Sequence, residues 1–207
     1  MLLCGTMLSL CAKASAPEDA ATARELVNSM GRPAPAHTAF AEARFLKVLD
    51  QPLVVSGELA WLGDDRLERR VERPNPEVST IADGEVTQQR EGHPPRHFSL
   101  KRAPQLQILL DSFVALLGGD SARLERAFNI QHTVDETKHW TLTLTPRDAT
   151  LARTVSSIEI DGRDNEPRCM RMQEADGDLA VDLLGELAAK MPATPTRAAL
   201  AALCKGD

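Results

Sequence analysis

Few residues of this sequence have the types and spacing that covalent catalysis needs. The tripeptide Gly119-Asp120-Ser121 resembles the nucleophile segment of some hydrolases, but it lies between two apolar helical patterns. Ser121 is therefore interpreted as the N-cap of a short helix over residues 121–128. The sequence has no Gly-x-Ser-x-Gly elbow, no phosphate-binding Gly-rich loop and no His-Glu-x-x-His motif, so no catalytic residue is predicted.

Metal-ligating side chains are also too dispersed to predict a site. His93 and His97 are separated by Pro-Pro-Arg in a loop, and a stable metal site needs further ligands nearby. His132 and His139 flank a predicted turn and are expected to be solvated. We therefore predict no metal and no cofactor.

Composition and charge exclude two broad classes of protein. The 207 residues are 43% hydrophobic and 26% charged, with a formal net charge of −6, no Tyr and two Trp. An acidic chain with few aromatic side chains is poorly suited to bind nucleic acid, which requires positive charge and stacking surfaces. No internal segment approaches the roughly 20 apolar residues of a membrane span, which excludes a polytopic membrane protein.

The N-terminus has the features of a secretory signal. Residues 1–12 are apolar, and Ala14-Ser15-Ala16 matches a small-residue cleavage site, so we predict a signal peptide over residues 1–16. Its removal would take Cys4 and Cys11 with it and leave one domain over residues 17–207. Cys169 and Cys204 remain, and in an oxidising compartment they either pair or stay buried as single thiols.

Hydrophobic periodicity predicts helices at three places before a C-terminal tail. Helical spacing covers residues 17–30, 104–117 and 121–128, and Gly118-Gly119 ends the second helix. About six strands lie between the first two helices, and about four follow the third. The strongest hairpin signal is Asp83-Gly84. The tail over residues 184–207 is Ala- and Leu-rich, and its last helix is predicted to be capped by Thr194 with Pro195 at its first position.

This order of elements predicts an α+β fold. Consecutive strands joined by tight turns form an antiparallel meander, and its apolar face must be covered by the helices. The leading architecture is a strongly curved antiparallel sheet wrapped around two amphipathic helices. The rival is a closed eight-stranded barrel of lipocalin type, which a pair of helices in mid-meander fits poorly.

The apolar face of such a sheet either encloses a filled core or lines a cavity for an apolar ligand. If it lines a cavity, each methylene buried there contributes about 0.8 kcal/mol, so two or three acyl chains would bind tightly. The candidate cavity residues alternate along the strands or follow the apolar stripe of the second helix. They are Leu53, Val55, Leu59, Trp61, Leu67, Trp140, Leu142, Ile158, Ile160 and Met170 on strands, and Leu109, Leu110 and Phe113 on the helix.

Seven segments, taken in order, resemble the outer membrane lipoprotein carrier (LolA) family, especially its LolA-related branch. They are His37–Phe40, Ser56–Trp61, Leu67–Pro74, Ser79–Gly84, Leu116–Asp120, Trp140–Pro146 and Ile158–Gly162. The resemblance implies an incomplete barrel with helices as a lid. The family's Lys-Arg-Pro segment, whose Arg ties that lid shut, is replaced here by Leu62-Gly63-Asp64.

The resemblance also implies a function. Members of this family are periplasmic carriers that shield the acyl chains of lipoproteins between the inner and outer membranes. We expect a monomeric carrier of a lipidated protein or another lipidic cargo, with an inner-membrane exporter and an outer-membrane acceptor as partners. The alternatives are an enzyme acting on a lipidic substrate and a protein–protein scaffold with a filled core.

Overall fold

The structure is a computed structural model that describes residues 16–206. The predicted signal peptide, with Cys4 and Cys11, lies outside the described residues apart from Ala16. Helix α1 (Ala16–Met30) leads into six strands, whose bounds are β1 (Ala36–Phe45), β2 (Leu53–Gly63), β3 (Arg66–Arg73), β4 (Glu77–Ala82), β5 (Glu85–Arg90) and β6 (Arg96–Ser99).

Two further helices divide the strands into two groups. Helix α2 (Pro104–Leu117) and helix α3 (Ser121–Ala127) follow β6. Five more strands then complete the sheet: β7 (Phe128–Val134), β8 (His139–Pro146), β9 (Val155–Arg163), β10 (Glu166–Glu174) and β11 (Leu179–Leu184). A 3-10 helix (Gly185–Lys190) and helix α4 (Arg197–Lys205) form the C-terminal tail.

All eleven strands of the described chain belong to one antiparallel sheet. Their order is β6-β5-β4-β3-β2-β1-β11-β10-β9-β8-β7, so β1 pairs with β11 at the centre. The first and last strands of this order, β6 and β7, are not joined to each other. The predicted α+β class and antiparallel meander are therefore confirmed, and the sheet is open rather than a closed lipocalin-type barrel.

One local prediction holds and three need correction. Asp83 and Gly84 both have positive φ between β4 and β5, as the hairpin signal requires. The cap of α3 is Asp120, whose carboxylate accepts the Arg123 amide at 2.8 Å, because Ser121 is already helical and buried.

The other two corrections concern a strand and the tail. Strand β7 is an addition to the predicted strands, because the sequence pattern places Phe128 in the preceding helix. Helix α4 begins two residues later than expected, and Thr196 rather than Thr194 caps it through the Ala199 amide.

The helices α1, α2 and α3 cover one face of the sheet, which we call the concave face. Its core lies at the β7–β10 end, where Val27 and Leu124 pack among side chains of β8 and β9. Within residues 16–206, no helix is long and apolar enough to cross a membrane.

The C-terminal tail covers part of the opposite face, here called the convex face. Leu200 and Cys204 of α4 are fully buried against Ala43, Val181 and Leu183 of the central strands. Cys204 forms a disulfide with Cys169 on β10 across a separation of 35 residues.

A buried polar network lies on the convex face beside this disulfide. His139 is 5% exposed, in contrast to the solvated position expected, and its Nε2–H donates to the Cys204 carbonyl at 3.1 Å. Asp161 accepts two hydrogen bonds from Arg171 and one from Thr141. Burial of these groups is compatible with folding because each has a hydrogen-bond partner.

Candidate functional site

A cavity of about 730 Å³ lies between α2 and the central strands of the concave face. Residues directly opposite in neighbouring antiparallel strands share a face of the sheet, and Leu67 is paired with Trp61 on one side and with Ile81 on the other. The apolar wall includes Leu59, Trp61, Leu67 and Ile81 on β2 to β4, Met170 and Met172 on β10, and Leu110, Phe113, Leu116 and Leu117 on α2.

Contacts at the C-terminal end of α2 hold this helix over the sheet. The Arg32 amide donates to the Leu117 carbonyl at 3.1 Å, which joins the end of α1 to the end of α2. A Cβ at Gly31 would lie 3.1 Å from the Gly118 carbonyl oxygen, and one at Gly119 2.9 Å from the Asn28 carbonyl oxygen. Gly31 and Gly119 therefore allow the two helix ends to approach more closely than larger residues would.

The cavity is not apolar throughout, since charged side chains cross its floor. Asp182 on β11 lies directly opposite Glu42 on β1, and both line the cavity with Arg44 and Arg69. Arg69 reaches from β3 to Glu42, at 3.0 Å, and its guanidinium stacks 4.7 Å from the centre of the Phe40 ring. The floor thus combines a cation, an ion-paired carboxylate and a second carboxyl, Asp182.

Burial changes the protonation of Asp182. Asp182 is only 6% exposed. Its removal from water, together with the nearby Glu42 carboxylate, raises the pKa of Asp182 to about 8. Arg69 and Arg44 oppose this shift but do not cancel it. Asp182 is therefore a neutral carboxylic acid at neutral pH, with an O–H that can donate a hydrogen bond.

Because Asp182 is protonated in the folded state, its contribution to the free energy of unfolding is expected to fall as pH rises. Between about pH 4 and pH 8 the folded chain keeps the Asp182 proton that the unfolded chain has released, so each unit of pH lowers stability by up to about 1.4 kcal/mol. We expect Asp182→Asn, measured by urea unfolding, to gain about 3 kcal/mol relative to wild type between pH 5 and pH 7.5. A stability difference between the two proteins that does not change with pH would contradict the buried neutral acid.

The structure divides the residues that the sequence predicts to line one cavity into a group that lines it and a group that lies elsewhere. Leu59, Trp61, Leu67, Met170, Leu110 and Phe113 do line it. Trp140, Leu142, Ile158 and Ile160 are instead buried in the core at the β7–β10 end, and Leu109 packs against that core. Leu53 is 50% exposed and Val55 is half-buried, and neither lines the cavity.

The separation has a physical cause. Helices α1 and α3 fill the concave face over β7, β8 and β9, so the apolar side chains there are in a packed core. Over β1, β2 and β3 the cover is α2 together with Met30 at the end of α1, and a cavity remains. Leu53 lies beyond it, at the start of β2.

Sequence reasoning missed the charged floor. Glu42 and Arg44 alternate with Ala41 and Ala43 along β1, which resembles an ordinary solvated strand face. The informative signal is Asp182, because an acidic residue within the apolar run Leu179–Leu184 has few solvated positions available.

Comparison with protein families finds one match that covers nearly the whole chain. Residues 14–207 match the family model described as outer membrane lipoprotein carrier protein LolA-like. No curated protein matches the chain.

Several solved structures are similar to the chain at low sequence identity. A LolA superfamily protein from Nitrosomonas europaea is 10% identical, with a TM-score of 0.45, and the match covers 81% of this chain and 92% of that one. A DUF1329 family protein from Desulfovibrio piger is 8% identical, with a TM-score of 0.43 and the same two coverages, 81% and 92%. The MucA/MucB complex of Pseudomonas aeruginosa gives 12% identity and a TM-score of 0.40, covering 86% of this chain and 60% of that one.

Proposed function

The chain belongs to the LolA-like family of outer membrane lipoprotein carrier proteins, and on this basis we propose that it is a carrier of acylated cargo. It shields the acyl chains of a lipoprotein or a related lipid in the cavity beneath α2 and acts in the periplasm between the inner and outer membranes. The proposed activity is binding and transfer, with no covalent step.

The cavity is the observation that carries this proposal. Its volume of about 730 Å³ falls within the 300–1,000 Å³ typical of ligand sites. The largest group of residues in its wall is Leu, Ile, Met and aromatic, and these side chains favour apolar ligands without fixing their shape. Met170 and Met172 add adaptability, because the unbranched thioether side chain fits irregular surfaces.

Transfer to an acceptor requires only a difference in affinity. Each methylene that leaves water for the cavity contributes about 0.8 kcal/mol, so a long acyl chain binds the carrier strongly. Release follows when the acceptor offers a site of lower free energy, since a carrier without an energy source moves cargo only downhill.

Native mass spectrometry tests the proposal directly. We expect the chain, secreted to the periplasm of a bacterial host and purified without detergent, to show a mass excess that corresponds to bound lipid. The delipidated protein is then expected to take up a hydrophobic fluorescent dye, since the emptied cavity is again available. A bare polypeptide mass together with no dye uptake would reject a carrier and favour a scaffold.

A further inference from the structure

The Asp182 carboxyl is a buried polar group that the fold does not use. The other charged groups near it are paired: Arg69 with Glu42 at 3.0 Å, and Arg44 with Glu174 at 2.8 Å. Among residues 16–206, we find no hydrogen bond to the Asp182 carboxyl, and the forces on it are burial and the charges of its neighbours.

If the cavity held only hydrocarbon, an apolar residue at position 182 would contact the ligand more favourably than a carboxyl. No fully enclosed side-chain oxygen or nitrogen of the described residues lacks a hydrogen bond, so the Asp182 oxygens are open to the cavity, and their partner must come from what occupies it. A buried titratable group that lines a cavity in this way is typical of a functional site. Its neighbours along the same row of the sheet, Glu42 on β1 and Met170 on β10, leave it facing the cavity.

We propose that Asp182 binds the ester or amide carbonyl that joins the acyl chains to the head of the cargo, while the chains themselves lie beneath α2. This inference rests on the proposed carrier function. The Asp182 O–H donates to the carbonyl oxygen, and the partly exposed Arg69 guanidinium lies on the same floor.

The charge balance of the floor favours a neutral group over a charged head. Arg69 and Arg44 are matched by Glu42 and Glu174, so no unpaired charge is left for a phosphate or an ammonium ion. A carbonyl needs only a donor, which a protonated carboxyl supplies. The ester or amide link is thus the part of an acylated cargo whose chemistry suits Asp182.

This recognition depends on pH. The charged groups facing Asp182 are Glu42 and Arg44 from β1 and Arg69 from β3, while its β10 neighbour Met170 does not titrate. When Asp182 loses its proton, it loses the donor and places a second carboxylate beside Glu42. Affinity for a carbonyl group then falls, while affinity for plain hydrocarbon depends only on the apolar wall.

A matched pair of ligands tests this inference. Methyl laurate and pentadecane have the same number of heavy atoms but differ in the ester, and each is titrated against a bound hydrophobic dye. We define the ester preference as the ratio of ester to alkane affinity divided by the same ratio in Asp182→Leu. At pH 6 we expect it to be about fivefold in wild type, since one hydrogen bond contributes on the order of 1 kcal/mol. The preference is expected to disappear by pH 9.5.

Two substitutions at Asp182 separate hydrogen bonding from titration. Asp182→Asn keeps an N–H donor, so its ester preference is expected to persist at pH 9.5. Asp182→Leu supplies the reference ratio, which is expected to be the same at both pH values. Asp50→Leu in the exposed β1–β2 turn serves as the control and is expected to behave as wild type.

The outcomes also distinguish this inference from the proposed function. If wild type and Asp182→Leu show the same ratio of ester to alkane affinity at pH 6, the role of Asp182 is overturned and the carrier function stands. If neither ligand nor dye binds wild type, the carrier function fails and the inference fails with it.

Discussion

Loss of the disulfide is expected to lower the free energy of unfolding by about 3 to 4 kcal/mol in the Cys204→Ala variant. The bond closes a loop across 35 residues, and a crosslink of that span restricts the unfolded chain by roughly this amount. Both cysteines are fully buried, so some packing is lost as well. Urea unfolding followed by circular dichroism measures the difference.

Reduction provides the control for this prediction. Dithiothreitol is expected to bring wild type close to the stability of Cys204→Ala and to leave the variant unchanged. Equal stability of wild type and variant without reductant would show that the crosslink does not stabilise the fold. Dye uptake by the variant is expected to persist, because α4 packs on the convex face, away from the cavity.

Leu59→Lys is expected to weaken uptake of an apolar ligand at least about 100-fold. The substitution places an ammonium group on the cavity wall. The residue directly opposite on β3 is Arg69, which is itself positive and cannot pair with it. An acyl chain in contact with that group would strip its water, which is unfavourable by several kcal/mol. Dye titration measures the loss.

Leu53→Lys is a matched control on the same strand and the same face. Leu53 also lies opposite an arginine, Arg44, but it is 50% exposed and outside the cavity. Its affinity for the dye is expected to remain within about twofold of wild type, since exposed substitutions away from special features have small effects. Equal uptake by Leu59→Lys and Leu53→Lys would contradict the assigned cavity wall.

The order of elements could be predicted because local patterns determine it. Apolar residues alternate along β2 and β8, and Asp83-Gly84 has the backbone conformation that a tight hairpin needs. Strand β7 has a weaker form of the same signal, with Phe128, Ile130 and Val134 on one face interrupted by His132, and it follows directly on α3 without a turn.

The division of the concave face between core and cavity could not be predicted. Trp140 and Trp61 both lie on apolar strand faces, and nothing in their immediate sequence says which of them a helix will cover. Their difference arises from where α1 and α3 pack, which depends on contacts between residues distant in the chain. The same is true of Asp182, whose burial depends on β1 pairing with β11 at the centre of the sheet.

The placement of the disulfide and α4 on the face opposite the cavity has an evolutionary consequence. Substitutions that change the size or shape of the cavity leave the disulfide and the packing of α4 on the convex face intact. They therefore lower the free energy of unfolding only slightly. Such a scaffold tolerates divergence in the size and chemistry of what it carries. Relatives with different cargoes are therefore expected to vary most on the β1–β3 side of the sheet and least around Cys169, Leu200 and Cys204.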